Sequence, residues 1–157
     1  MSQLEHLTFL ERNVLVPALR LHGALYQATG GLLGHHVPGL PPSLQLHTTG
    51  AKTGAKRSVI LSYARDGEDL LVVASAGGSP TAPSWYHNLK SNPAVQVNLG
   101  TTRSSVVAIP VLPGDADYAG LWRIAVNDIT PNYDVYQQRT TRPIPLVRLT
   151  PAQTPKQ

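Results

Sequence analysis

Leu44-Gln45-Leu46-His47-Thr48 alternates apolar and polar side chains with a period of two, the signature of a half-buried strand, and the pattern keeps returning downstream. Val59-Ile60-Leu61-Ser62-Tyr63-Ala64, Leu70-Leu71-Val72-Val73-Ala74, Val95-Gln96-Val97-Asn98-Leu99, Val106-Val107-Ala108-Ile109-Pro110-Val111 and Ile144-Pro145-Leu146-Val147-Arg148-Leu149 complete six strand candidates. Asp66-Gly67-Glu68-Asp69 reads as a hairpin turn between the second and third, and Leu99-Gly100-Thr101-Thr102-Arg103 as another between the fourth and fifth. Between strands three and four, Ser84 to Pro93 reads as a short helix with Ser84 as its cap and Pro93 as its stop. Asp115 to Asn127 reads as a second helix. Short strands, mostly hairpin-linked, with peripheral helices predict a mainly β (α+β) chain built as a small closed or partly closed antiparallel barrel.

Upstream the period changes. Leu7, Leu10, Val14, Ala18, Leu21 and Leu25 recur every three or four residues, which predicts an amphipathic helix over residues 4–28, kinked or broken at Pro17. Such a helix either packs over the open side of the sheet or makes a peripheral membrane contact or covers a ligand site. Residues 29–43 hold too much Gly and Pro for a regular element and read as a linker, with His35 and His36 a solvated loop pair inside it. The organisation expected is helix and linker over 1–43, barrel over 44–150 and a tail over 151–157.

The 157 residues are 41% hydrophobic and 14% charged, enough to bury a core in one domain. The absence of cysteine excludes disulfides, thiolate nucleophiles and sulfur-ligated metals, and the six histidines show no ligand spacing. The net charge of +4 favours anionic partners in general. No run approaches the length of a spanning helix and the first residues lack a signal peptide's basic start, so a cytoplasmic location is expected, with membrane association through the helix its variant.

Three clusters hold chemistry. Thr48 to Ser58 carries Lys52, Lys56 and Arg57 beside two glycines, a loop suited to an anionic ligand or, equally, an ordinary hairpin with solvated cations. It is no P-loop, because Lys52 precedes Gly54 rather than following it. Lys52-Thr53-Gly54 lacks the companion Ser-x-x-Lys and Ser-Asp-Asn of penicillin-recognising enzymes, and neither GxGxxG nor GxSxG occurs. Ser75-Ala76-Gly77-Gly78, followed by Trp85-Tyr86-His87-Asn88, leaves room for a flat ligand to approach backbone N–H groups, although the two aromatics also suit a core. Tyr133 and Tyr136 share one helical face and suit the plug of a barrel end or a substrate wall. With no acid–base pair in evidence, an enzyme built this way borrows its reactive group from a cofactor.

In order, TTGAKTGAKR, VVASAGGSPTAPSWYHNLKSNPAVQV and TPNYDVYQQRTTRPIPLVRL resemble the deazaflavin (coenzyme F420)-dependent nitroreductase family of the flavin/deazaflavin oxidoreductase superfamily, over about residues 44–150. The resemblance implies a six-stranded split β-barrel and coenzyme F420, an 8-hydroxy-5-deazaflavin with an acidic tail, as cofactor, with FMN ranked behind it. Lys52, Thr53 and Arg57 match the phosphate and tail positions, with Lys56 beside them; Ser75, Ala76, Gly77 and Gly78 match the strand end by the ring; Trp85, Tyr86 and Asn88 match the bordering helix. Ser75, Tyr133 and Tyr136 match the catalytic and acceptor-lining positions. The implied reaction passes a hydride between the reduced deazaflavin and a small electron-poor acceptor: a quinone, a nitroaromatic or an enone. Thr130 and Ala76 depart from the pattern of the best-known nitroreductases, which carry tyrosine and lysine there. A non-catalytic split-barrel module carrying flavin, haem or lipid is the alternative. A nucleic-acid partner is not expected, and the chain is expected as monomer or homodimer.

Overall fold

The structure, a computed structural model, describes residues 8–10, 14, 16–29 and 39–152. Seven strands form one sheet in the order β2-β1-β5-β6-β7-β4-β3: β1 (Ser43–Thr49), β2 (Lys56–Ser62), β3 (Ala64–Asp66), β4 (Asp69–Val73), β5 (Ala94–Leu99), β6 (Thr102–Val111) and β7 (Leu146–Pro151). Every pairing is antiparallel. Helix α1 (Val16–Ala28) precedes the sheet, α2 (Ser84–Ser91) crosses between β4 and β5, and α3 (Tyr118–Asp128) and α4 (Asn132–Gln138) lie between β6 and β7.

The seventh strand arises because the expected run from Val59 to Ala64 breaks at Tyr63, whose N–H donates to the Pro42 carbonyl at 3.1 Å. This one residue carries the chain from β2 at one edge to β3 at the other. The sheet therefore curls into a barrel whose ends are joined by the chain but whose β2 edge is not zipped to β4. The last strand runs from Leu146 rather than Ile144, since Ile144 is buried among side chains and the Pro145 carbonyl accepts from Ala74 N at 3.0 Å.

Alternation sorts the side chains onto two faces. Leu44, Leu46, Val72, Val97, Val106, Val147 and Leu149 point inward, where Trp85, Tyr86 and Leu89 of α2 cap them. On the other face Leu71, Val73 and Leu146 meet Leu121 and Ala125 of α3 and Tyr133 of α4. Arg148 pins this side together, reaching Asp117 at 2.7 Å, Asp69 at 3.3 Å and Asp66 at 3.6 Å.

Three local expectations change. Ser84 is the first residue of α2 rather than its cap, a place taken by Pro83 with no side-chain capping bond. Helix α3 starts at Tyr118 because the Asp115 carboxylate instead accepts Leu112 N–H at 2.7 Å in the preceding turn. Pro17 is the second residue of α1 as described, and the residues on which a kink or break there would show, 11–13 and 15, lie outside the described residues. The apolar side of α1 does not cover the sheet: Leu21 is 73% exposed and Leu25 46%, and the approach to β2 is at Gly23, beside Ile60. Residues 4–7, most of the linker with His35 and His36, and the tail from 153 lie outside the described residues.

Candidate active site

The hairpin between β1 and β2 closes on itself through Gly50 N–H to the Ala55 carbonyl and Gly54 N–H to the Gly50 carbonyl, both 2.8 Å. Gly54 has φ +67°, the left-handed region that favours glycine, whereas a Cβ on Gly50 would meet only the movable Thr53 hydroxyl this closely, at 2.7 Å. Asn88 of α2 holds the loop from outside: its Oδ1 accepts Ala51 N–H at 3.0 Å and its Nδ2 donates to Thr48 Oγ1 at 3.1 Å. The result is a cavity of about 870 Å³ bordered by Lys52, Thr53, Arg57, Trp85, His87 and Asn88, with no acidic side chain in its lining.

Trp85 also borders a second cavity, of about 290 Å³, with Leu61 of β2, Val73 at the end of β4, Ser75, Ala76 and Tyr133. One indole thus separates a cationic end from an end walled by small residues and a phenol. The second end rests on an uncommon backbone: Ala76, Gly77 and Gly78 have φ of 46°, 64° and 83°, three left-handed residues in succession. For Ala76 that conformation costs roughly 1–2 kcal/mol. The neighbourhood over-determines it. Gly78 N–H bonds the Ser75 carbonyl at 3.0 Å, Ser79 N–H bonds the Ala76 carbonyl at 3.1 Å, and a Cβ on Gly78 would lie 2.6 Å from the Tyr136 carbonyl oxygen. Helix α4 therefore seats directly on this turn.

Lys52, Thr53, Arg57, Trp85 and Asn88 gather at the first cavity and Ser75, Ala76, Trp85 and Tyr133 at the second. The remaining predicted site residues lie elsewhere. Lys56 projects from the opposite face of β2 beside a separate cavity with His47 and Arg103. Tyr86 is buried in the core, edge-on to Trp85 with centroids 6.3 Å apart. Gly77 and Gly78 shape the turn, with Gly78 buried beneath α4. Tyr136 packs edge-on against Tyr133 at 6.1 Å, with Arg139 over its other side at 5.3 Å. Burial raises the Tyr133 phenol's pKa far above its usual range, and proximity of Tyr136 adds to this, so the wall it offers the second cavity is a neutral hydroxyl.

Arg142 was not singled out from the sequence. Its Nε and Nη2 donate to the carbonyls of Ser79, Ala74 and Ser75 at 2.7, 3.1 and 2.8 Å. Nothing local in Arg139-Thr140-Thr141-Arg142-Pro143 announces this, because the acceptors lie more than sixty residues upstream.

The family model for F420H(2)-dependent quinone reductase matches residues 18–151. An F420H(2)-dependent quinone reductase of Mycobacterium tuberculosis (strain H37Rv) is 56% identical over 142 residues, covering 90% of this chain and 95% of its own. The chain belongs to the F420H(2)-dependent quinone reductase family. Among solved structures, an F420-H2 dependent reductase (FDR-A) superposes with a TM-score of 0.61 at 36% identity, covering 73% of this chain and 99% of that one. Another, described as a domain-swapped dimer, gives 0.63 at 33% identity, covering 86% and 98%. The curled sheet is the split-barrel fold of these neighbours.

Coenzyme F420, the group implied by the family, suits the residues present. The acid-free cavity with Lys52 and Arg57 fits a phosphate and carboxylate tail, and the small side chains of Ser75 and Ala76 at the second cavity leave a flat ring room to approach. Among the described residues, no cluster of His, Asp and Glu could hold a metal ion and no helix is long and apolar enough to cross a membrane.

Proposed function

We propose that this chain reduces quinones with F420H2 in the groove running from the basic hairpin to the Ser75–Gly78 turn. The observation that carries the reading is the shared Trp85, with cations on one side of the indole and small residues with a neutral phenol on the other. When bound, the reduced deazaflavin supplies a hydride from its C5 carbon. Lys52 and Arg57 hold the anionic tail, with Thr53 shaping the hairpin and Asn88 fixing it to α2. Ser75 and Ala76 line the ring end, where backbone N–H groups orient the ring's polar atoms, and Tyr133 walls the acceptor's side with a hydroxyl that stays protonated. Thr130, where nitroreductases carry tyrosine, spends its hydroxyl on Asn132 N–H at 3.3 Å at the start of α4, and Ala76 offers no cation to a nitro group. Both support a quinone over a nitroaromatic.

Purified protein titrated with F420 is expected to quench the coenzyme's fluorescence. Lys52→Ala combined with Arg57→Ala should weaken binding by about tenfold or more, through loss of two charge-assisted contacts. Oxidation of F420H2 across a panel of quinones and nitroaromatics then separates an enzyme from a carrier. Binding without turnover on any acceptor would leave only the non-catalytic module. The relative described as a domain-swapped dimer supports a homodimer here too, with Phe9, Leu10, Leu21 and Leu25 as exposed apolar surface available to a second copy, which light scattering would register as a doubled mass.

A further inference from the structure

Among the described residues, Arg142 is a cation with no anion. Its bonds among the described residues run to three backbone carbonyls, none to a carboxylate, and its Nη1 is buried without a partner. Bringing a guanidinium into such a place costs desolvation, which holds its pKa below the ordinary value against the opposing pull of the Tyr86 phenol. Tertiary structure is nevertheless arranged to keep it there. Gln137 of α4 donates to the Thr140 and Arg142 carbonyls at 3.4 and 3.0 Å and accepts Ile144 N–H at 2.9 Å, so the segment bearing Arg142 is strapped to α4 on both sides. Arg139 adds a bond from Nη1 to the Gly77 carbonyl at 3.5 Å.

The peptide bond explains what this achieves. In a trans peptide the N–H points opposite to the C=O, and no cis bond occurs here. The carbonyls of Ala74 and Ser75 share their peptide units with the N–H groups of Ser75 and Ala76. With the carbonyls turned to the guanidinium, those two N–H groups are directed away from it, and Ser75 and Ala76 are the two loop residues that line the second cavity. A positive charge on the oxygen side polarises the peptide unit and strengthens its N–H as a donor, as in any hydrogen-bonded chain.

We propose that Arg142 is a positioning residue for the deazaflavin: through the Ala74 and Ser75 carbonyls it fixes and polarises the peptide units of this turn, so that the Ser75 N–H donates more strongly to a carbonyl oxygen of the ring. The inference rests on the F420 reading above. The anion formed when the ring's 8-hydroxyl ionises spreads its charge onto the ring's carbonyl oxygens, so a stronger donor stabilises that anion. Arg142 itself lines neither cavity and touches no substrate.

The test compares wild type, Arg142→Lys and Arg142→Met, each titrated with F420 and with its tail-less deazaflavin chromophore. At saturating ligand, visible absorption follows ionisation of the bound 8-hydroxyl as the pH is changed. Tyr86, Arg139, Tyr136 and Tyr133, the titratable groups around Arg142, its loop and the second cavity, are the same in all the proteins. Arg142→Met is expected to weaken both ligands about tenfold, the scale of one charge-assisted bond, and to raise the ionisation midpoint of the bound chromophore. Arg142→Lys, which keeps the charge, should bring the midpoint back towards wild type even where its melting temperature is lower. If Arg142→Met is recovered unfolded, Arg142→Gln, uncharged but still a donor, carries the same comparison. A midpoint equal in the wild-type and uncharged-variant complexes overturns the proposal, since a merely structural arginine changes how much complex forms and not the chromophore within it. A wild type that binds neither ligand overturns the F420 reading itself, and is recognised before any variant is made.

Discussion

Asn88 spends both ends of its amide on the basic hairpin: without it the exposed Ala51 N–H and the buried Thr48 hydroxyl would each lose a partner. Asn88→Ala should therefore cost about 1–2 kcal/mol in urea denaturation and weaken F420 binding with little change in turnover at saturation, the mark of a loosened loop rather than a lost reactive group. Tyr118 is read by pH instead. Its hydroxyl donates to the Ile144 carbonyl at 2.7 Å, and burial pushes its pKa from 10.0 up to about 12. The fold thus prefers the neutral phenol, so this contribution is complete below pH 10.0 and is lost as the pH climbs to about 12. Denaturation midpoints measured across that window should fall with pH, and fall less steeply in Tyr118→Phe. At this scale the sequence was partly legible. Adjacent strand residues face opposite ways, so the separation of Lys56 from Arg57 follows from alternation alone once β2 is recognised. Arg142 had no such signal: an arginine between Thr140-Thr141 and Pro143 looks solvated until the fold delivers carbonyls to it.

Among elements, the turn at Ala76–Gly78 and α4 depend on one another. Gly78→Ala would force a side chain into the left-handed region and against the Tyr136 backbone, at roughly 2–4 kcal/mol. Thermal unfolding should register that loss, and quinone reduction should fall further than coenzyme binding because Tyr133 moves with α4. Strands and hairpins were readable because period-two alternation and the Asp66–Asp69 turn are local signals, and the register between β3 and β4 places Asp66 opposite Asp69. The break at Tyr63 was not readable. Val59 to Ala64 is continuously strand-like, and only the distant Pro42 carbonyl makes Tyr63 the place where the chain changes edges. Helix α1 shows the converse limit: its periodicity marks an apolar side without saying what covers it, and the sheet covers little of it.

For the whole molecule, the core belongs to the sheet with α2, α3 and α4, and among the described residues none of α1 joins either apolar cluster. A chain starting at residue 39 should accordingly retain its F420 affinity while changing its preference among quinones, since Ile60, beside Gly23 of α1, also borders the second cavity. Coenzyme at a hundredfold excess over its dissociation constant should stabilise the full chain by about 2.7 kcal/mol and raise its melting point accordingly. The second cavity lies between Leu61 on the unpaired side of β2 and Val73 at the end of β4, the place a further strand would occupy to close the barrel. An unfilled strand edge is a template for another chain, and nature blunts such edges with charge, brevity or cover. Here β3 is short, and Lys56 and Arg57 open β2, but no charge follows in Val59-Ile60-Leu61, which α1 approaches at Gly23 beside Ile60. The ligand that makes this protein useful would thus also be its cover, and shelf life, turbidity and recovery on concentration should all improve when F420 is added to the buffer.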